Sequence, residues 1–282
     1  MNKVIKYVIY DILRNKFVMS YTLLLLLVSL AFFGFEADAN KGLLSLLNII
    51  LMVVPLVSII FTTIQFYNSY EFLELLSAQP IGRKTIFLSQ YLGIGISLCL
   101  AFVIGVGLPT ILLEGTTKGL TLILCGLLLT LVFVSLALLA SVCTKDKAKG
   151  IGIALAIWFY FSIVYDGFVL TALLSFSDYP LEKASLFFTT LNPSDLARII
   201  ILMKLDISAL LGMTGAIFQQ FFSSILGIFI AIVLYSYDAV YEDTAFFVRT
   251  FVVINDTPFA DKGFLEIMRV DIFLTLLLLS LL

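Results

Sequence analysis

The chain has 282 residues, of which 61% are hydrophobic and 13% charged, and its formal net charge is -2. A soluble domain of this size cannot bury that much apolar surface on every side, whereas a bilayer accepts it directly, and the slight negative charge argues against nucleic acid as a partner. Histidine is absent, which removes the usual proton shuttle, the commonest metal ligand and every Ser-His or Cys-His triad.

Residues 1 to 16 pattern as an amphipathic helix. Val4, Ile5, Val8, Ile9, Ile12 and Leu13 fall on one side and Lys3, Lys6 and Arg14 towards the other, as in a helix lying along the cytoplasmic interface. A basic flank that simply fixes topology is the alternative. The first apolar run, Phe17 to Phe35, is long enough to span and lacks a small-residue cleavage site, so no cleavable signal peptide is expected.

A helix needs roughly 20 apolar residues to cross the hydrocarbon, with its backbone hydrogen-bonded internally. Runs of that kind predict six transmembrane helices: Phe17 to Phe35, Leu43 to Phe66, Ile86 to Leu113, Leu120 to Val142, Ile151 to Phe176 and Met213 to Tyr237. Lys3, Lys6, Arg14, Lys16, Arg83, Lys84, Lys145, Lys147 and Lys149 then share one side, against Lys41 and Lys118 in the opposite short loops. That asymmetry predicts a cytoplasmic N-terminus. The longer loop before the sixth span, with Lys183, Arg198 and Lys204, obeys the rule poorly.

Between the second and third spans, Tyr67 to Lys84 is helical but is not a span. Asn68, Glu71, Glu74 and Ala78 share one helical face, Phe72, Leu73, Leu75 and Leu76 cover another, and Pro80-Ile81-Gly82 stops the helix. A cytoplasmic amphipathic helix with acidic residues, clamped between two spans, suits docking to a soluble partner that transmits force. In the third span, Gly93, Gly95, Gly105, Gly107 and Pro109 point to close helix approach or a bend, with packing the expected meaning. Cys99, Cys125 and Cys143 sit in or beside apolar runs and read as packing residues, because no CxxC site is available.

Asp166 is the only acidic residue well inside a predicted span, about 24 Å from the boundary at Gly150. A carboxylate there is expensive in lipid and should face a cavity, a partner chain or the periplasmic mouth. It is read either as lining the outer end of a cleft between two copies or as lying close enough to the interface to stay hydrated. Asn192-Pro193-Ser194-Asp195 fits a helix start, with Asn at the cap, Pro at the first position and Asp near the positive end of the dipole. The helix it opens, through Leu196, Arg198, Ile199, Ile200 and Met203, is expected to be amphipathic and periplasmic. The tail is acidic at Asp238, Glu242 and Asp243 and ends in Ile272 to Leu282, a run too short to cross unaided. Residues 1–240 are thus expected to form a transmembrane domain, and 241–282 an atypical tail that is an interfacial anchor, a truncated seventh span or an addition to the fold.

Glu-Phe-Leu-Glu-Leu-Leu-Ser-Ala-Gln-Pro-Ile-Gly-Arg, Glu71 to Arg83, resembles the cytoplasmic coupling segment of type-2 ABC exporter permeases. Gly152 with the Ile-Ala-Leu-Ala-Ile-Trp-Phe run that follows it, then Val164-Tyr165-Asp166 and Leu191-Asn192-Pro193-Ser194-Asp195, is similar to the NosY-like branch of that family, which serves copper processing in nitrous oxide reductase maturation. The likeness covers most of residues 1 to 237. It implies an all-α integral membrane fold of six spans with an N-terminal amphipathic helix, a cytoplasmic coupling helix and a helical periplasmic loop. It also implies a permease of the bacterial inner membrane without a catalytic site of its own. Tyr70, Glu71, Glu74 and Arg83 would couple to a cytoplasmic ATPase that binds ATP and Mg, and Asn192, Pro193, Asp195 and Arg198 would face a periplasmic accessory protein. A second copy of the chain and membrane lipids complete the expected partners. Members usually stop soon after the sixth span with a short basic tail, and this chain departs from that.

Consistently, no G-x-x-x-x-G-K-[ST] phosphate loop occurs, and Gly82-Arg83-Lys84-Thr85 lacks the rest of it. An exporter for a lipid, peptide or drug is the alternative within the class. A secondary transporter would show several intramembrane charges or internal repeats. An intramembrane aspartyl protease would need a second carboxylate to pair with Asp166. No copper-ligand cluster is present either, since Met52, Met203 and Met213 are isolated in sequence, so copper ligands would belong to partners or the cargo would be another species.

Overall fold

The structure is a computed structural model that describes residues 9–36, 39–77, 83–113, 117–144, 146–175 and 192–204. These residues are all helical or in short connections. A helical turn over 9–13 leads to α1 (Lys16–Phe35), which is followed by α2 (Ala39–Asn68), α3 (Tyr70–Ser77), α4 (Arg83–Phe102), α5 (Leu108–Leu113), α6 (Thr117–Val142), α7 (Lys147–Phe159), α8 (Tyr165–Ser175) and α9 (Pro193–Lys204). Among the described residues, five stretches are long and apolar enough to cross a membrane: Lys16–Phe35, Asn40–Asn68, Ile86–Leu113, Thr117–Val142 and Lys147–Thr171. They match the first five predicted spans to within a few residues. The predicted sixth span, Met213 to Tyr237, and the tail beyond it lie outside the described residues.

The helix starts are written locally. The Asn15 side chain accepts from the Phe17 N–H at 3.0 Å and opens α1, and Asp146 accepts from the Ala148 N–H at 2.9 Å and opens α7. Within the spans, several hydroxyls that would be unsatisfied in hydrocarbon donate back to the carbonyl four residues earlier, as Thr63 does to Ile59, Ser97 to Gly93, Thr130 to Gly126 and Ser141 to Ala137.

α6 is the centre of the bundle. Of its apolar stretch 72% is buried, against 11% of Lys147–Thr171, because α2, α4, α7 and α9 all pack on it. α1 buries a single stripe, Val18, Tyr21, Leu25 and Ser29, and turns Met19, Leu23, Leu27 and Leu30 outward, as a lipid-facing helix does. Two glycines of the third span, Gly95 and Gly105, allow close helix approach. A Cβ at Gly105 would meet Leu25 Cβ at 2.7 Å and the Thr22 carbonyl at 3.0 Å, and one at Gly95 would press on Leu131 at 3.1 Å. Gly126 in α6 likewise makes room for the Phe102 ring.

Two spans contain π-helical turns, Val103–Gly107 between α4 and α5 and Tyr160–Val164 between α7 and α8. Bonding to the carbonyl five residues back leaves an acceptor that must find a partner elsewhere, since lipid offers none. Both turns find one on another element. Ser29 Oγ donates to the Gly105 carbonyl at 2.8 Å, and Asn192 Nδ2 donates to the Phe161 carbonyl at 2.9 Å.

Candidate functional site

The first candidate lies at the end of the bundle that carries Arg14, Lys16, Lys147 and Lys149. α2 does not stop where its apolar run stops. It continues through Tyr67 and Asn68, which belong to the span helix and not to the amphipathic helix predicted to start at Tyr67. The reason is a set of polar contacts at this end. Tyr67 Oη lies 3.1 Å from the Ser141 carbonyl, 2.9 Å from the Thr144 carbonyl and 2.8 Å from Thr144 Oγ1, and Lys147 Nζ donates to Asn68 Oδ1 at 2.9 Å. The helix therefore has partners beyond its apolar run.

After the single turn residue Ser69, α3 runs from Tyr70 to Ser77. The backbone is nearly continuous, with the Ser69 N–H bonded to the Gln65 carbonyl at 3.0 Å and the Leu73 N–H to the Ser69 carbonyl at 2.9 Å. Leu73 packs on the core and Phe72 is half-buried, while Tyr70, Glu71 and Glu74 are exposed. Leu75 is a correction to the sequence pattern, which placed it on one apolar face with Phe72 and Leu73. It is 68% exposed because four residues separate it from Glu71 and one helical turn puts both on the same face. The outward face of α3 is thus an aromatic, two acids and a leucine. Residues 78–82, with the predicted stop at Pro80 to Gly82, lie outside the described residues, and Arg83 opens α4.

The second candidate lies where α8 meets α9. Asn192 is fully buried and caps α9: its Oδ1 accepts from the Ser194 N–H at 3.1 Å, with Pro193 in the first helical position as the sequence predicts. Its Nδ2 donates to the Phe161 carbonyl and to Asp195 Oδ2 at 3.1 Å, and reaches Asp166 Oδ1 at 3.5 Å. Arg198 NH1 lies 3.6 Å from Asp166 Oδ2 and 3.7 Å from Asp195 Oδ1. Burial, and then the Asp166 carboxylate beside it, pushes Asp195 up to about 6, against the opposing pull of Arg198 and Asn192. Leu196, Ala197, Ile200 and Ile201 bury the other face of α9, which packs on α6. This helix is anchored in the bundle by its apolar side and by its cap.

No family model matches the chain. It is 31% identical over 212 residues to the "Probable ABC transporter permease protein NosY" of Stutzerimonas stutzeri, covering 67% of this chain and 76% of that protein. It is 32% identical over 221 residues to the protein of the same description from Pseudomonas aeruginosa, covering 71% and 80%. The chain belongs to the NosY-like ABC transporter permeases. A permease of this kind is a multi-pass membrane subunit, and the ATPase activity resides in a partner subunit.

In this permease the structure divides the predicted residues into two groups. Tyr70, Glu71 and Glu74 share α3, and Asp166, Asn192, Asp195 and Arg198 converge in one cluster with Pro193 at its edge. Sequence reasoning had Asp166 and the Asn192 to Arg198 segment as separate features, and left open whether Asp166 met a cavity, a partner chain or water. Its cation is supplied by Arg198 of the same chain. Residues 166 and 198 lie on different helices, so no local spacing reports their meeting. The tie made by Tyr67 was also missed, for the same reason.

Proposed function

We propose that this permease couples ATP hydrolysis by its ATPase partner to transport or maturation beyond the bacterial inner membrane. The observation that carries the reading is α3, a short helix continuous with a span that turns Tyr70, Glu71, Glu74 and Leu75 outward at the basic end of the bundle. An exposed face of that composition offers charged contacts for orientation around an apolar anchor, which suits a cleft on a soluble partner. On this reading the N-terminus is cytoplasmic, in keeping with the basic residues at that end. Two copies of the permease, each bearing an α3, would be moved together as two ATPase subunits close. Of the residues expected to face an accessory protein, Asn192 and Pro193 are buried and hold α9 in place, which leaves the part-exposed Arg198, with Asp195 beside it, to stand towards the periplasm where such a protein would dock.

Charge reversal is the direct test. Glu71→Lys with Glu74→Lys in the full-length permease is expected to reduce co-purification of the ATPase at least tenfold, the order expected for replacing attraction by like-charge repulsion at an interface. Full retention of the ATPase by the double variant would count decisively against α3 as the docking helix.

Copper-site assembly of nitrous oxide reductase is the process we assign, supported by the likeness to proteins described as NosY. The chain has no histidine, and we place the copper ligands of this reading on the partner proteins. Deleting the permease should leave nitrous oxide reductase made but short of copper, measured as metal per polypeptide. A fully copper-loaded reductase in the deletion strain would favour a lipid, peptide or drug as cargo.

A further inference from the structure

We propose that the Tyr67 hydroxyl is a positioning clamp through which α3 moves the turn joining α6 to α7. The inference rests on the reading of α3 as the ATPase-docking helix and adds the route by which its movement leaves the docking site.

The last four carbonyls of any α-helix lack intrahelical donors. At the end of α6 one of these, on Ser141, lies within reach of the Tyr67 hydroxyl, together with the carbonyl and hydroxyl of Thr144. A phenol has one proton to give, so at any instant it donates to one of these oxygens, and it can also accept from Thr144 Oγ1, whose own proton alternatively goes to the Asp146 carbonyl. Tyr67, contributed by α2, thus sits between the last turn of α6 and the turn that follows it. On the far side of the turn the ring is pressed against Gly150 of α7, where a Cβ would collide with the hydroxyl. The neighbouring Asn68 accepts from Lys147 at the start of α7. One residue pair at the end of α2 thus touches the end of α6, the turn and the beginning of α7.

The other side of the same helix end is also tied. Gln65 Nε2 reaches Asp11 Oδ2 at 3.5 Å, and Phe61 stacks on Phe17 with centroids 5.4 Å apart. The final two turns of α2 are therefore a junction for the start of α1 and the segment preceding it, the α6–α7 turn and α3. Because the backbone runs through Ser69 almost without a break, a push on α3 is delivered to this junction as rotation or translation of a stiff rod. Apolar packing along the spans holds α2, α6 and α7 together whether or not the hydroxyl is present. What the hydroxyl adds is a directional contact to the turn itself.

The test uses the full-length permease in complex with its ATPase in lipid nanodiscs. Cys143, next to Thr144 in the clamped turn, is a native reporter. Its rate of modification by N-ethylmaleimide, located by peptide mass spectrometry, is compared with and without ATP trapped by vanadate. In the wild type the two rates should differ. In Tyr67→Phe, which keeps the ring and removes only the hydroxyl, the ATPase should co-purify at wild-type stoichiometry while the nucleotide-dependent difference shrinks about fivefold, the factor expected from losing one net hydrogen bond. Gly150→Ala, which displaces the hydroxyl from the opposite side, should reproduce the loss. A wild-type nucleotide response in Tyr67→Phe or Gly150→Ala with the ATPase bound overturns the clamp and leaves the docking helix intact. An unchanged Cys143 rate in the wild type also overturns the clamp. Failure of the wild-type permease to retain the ATPase overturns the reading of α3, and the clamp with it.

Discussion

At the basic end of the bundle Tyr67 joins α2 to the α6–α7 turn with neutral groups, a phenol meeting carbonyls and a threonine hydroxyl. At the α8–α9 contact, Asp166, Asn192, Asp195 and Arg198 join two helices with charges gathered around a buried amide. A neutral hydrogen bond contributes about 1 kcal/mol net and responds little to pH or salt. A partly buried charge cluster balances larger opposing terms, attraction to Arg198 against burial and the second carboxylate, so its net worth depends on protonation. The first kind of joint suits a part that must be made and released in each cycle. The second suits a part that holds still.

The largest expected difference comes from Asn192. Asn192→Ala removes the cap of α9 and leaves the Phe161 carbonyl of the π turn without its donor, so the loss should be about 3 kcal/mol by denaturant or thermal unfolding in detergent. A loss no greater than that of Tyr67→Phe would erase the contrast between the two joints.

Next in size is the pH dependence at Asp195. Its folded pKa, up to about 6, lies above the ordinary 3.8, so the folded state binds more protons than the unfolded chain between those values. The associated stability is fully present below pH 3.8 and is lost as pH rises through about 6. Unfolding followed from pH 4 to 8 should therefore show a decline of roughly 2 kcal/mol attributable to this carboxylate, allowing for solvent screening. Asp195→Asn should flatten that decline and make the protein more stable than wild type above pH 6, and a decline that persists unchanged in the variant would locate its source elsewhere.

The smallest expected change is in the static stability of Tyr67→Phe, about 1 kcal/mol and independent of pH across the same range. A pH-dependent loss in that variant would mean that the basic end is also held by charge.

Much of the architecture was readable in one dimension. The predicted first and third spans, Phe17 to Phe35 and Ile86 to Leu113, coincide with helical stretches Lys16–Phe35 and Ile86–Leu113 to within a residue. The cap at Asn192 was legible because Asn, Pro and Asp each favour their positions through contacts a few residues away. The pairing of Arg198 with Asp166 was not, and neither was the reach of Tyr67 to Ser141 and Thr144, 74 and 77 residues along the chain. Leu75 was misplaced because alternate groupings of Phe72 to Leu76 satisfy a helical pattern equally well until a neighbour, the core beneath Leu73, selects one of them.

The sequence by itself determined that this protein lies in a membrane, where its first five spans run and where α9 begins. Those outcomes follow from transfer of apolar side chains into lipid and from backbone hydrogen bonds closed within a segment, both of which are sums over neighbouring residues. Only the tertiary structure decided which helix meets Asp166, which turn Tyr67 holds and which carbonyl of each π turn finds a donor. Each of those depends on the placement of two helices relative to one another, and no local sum contains it.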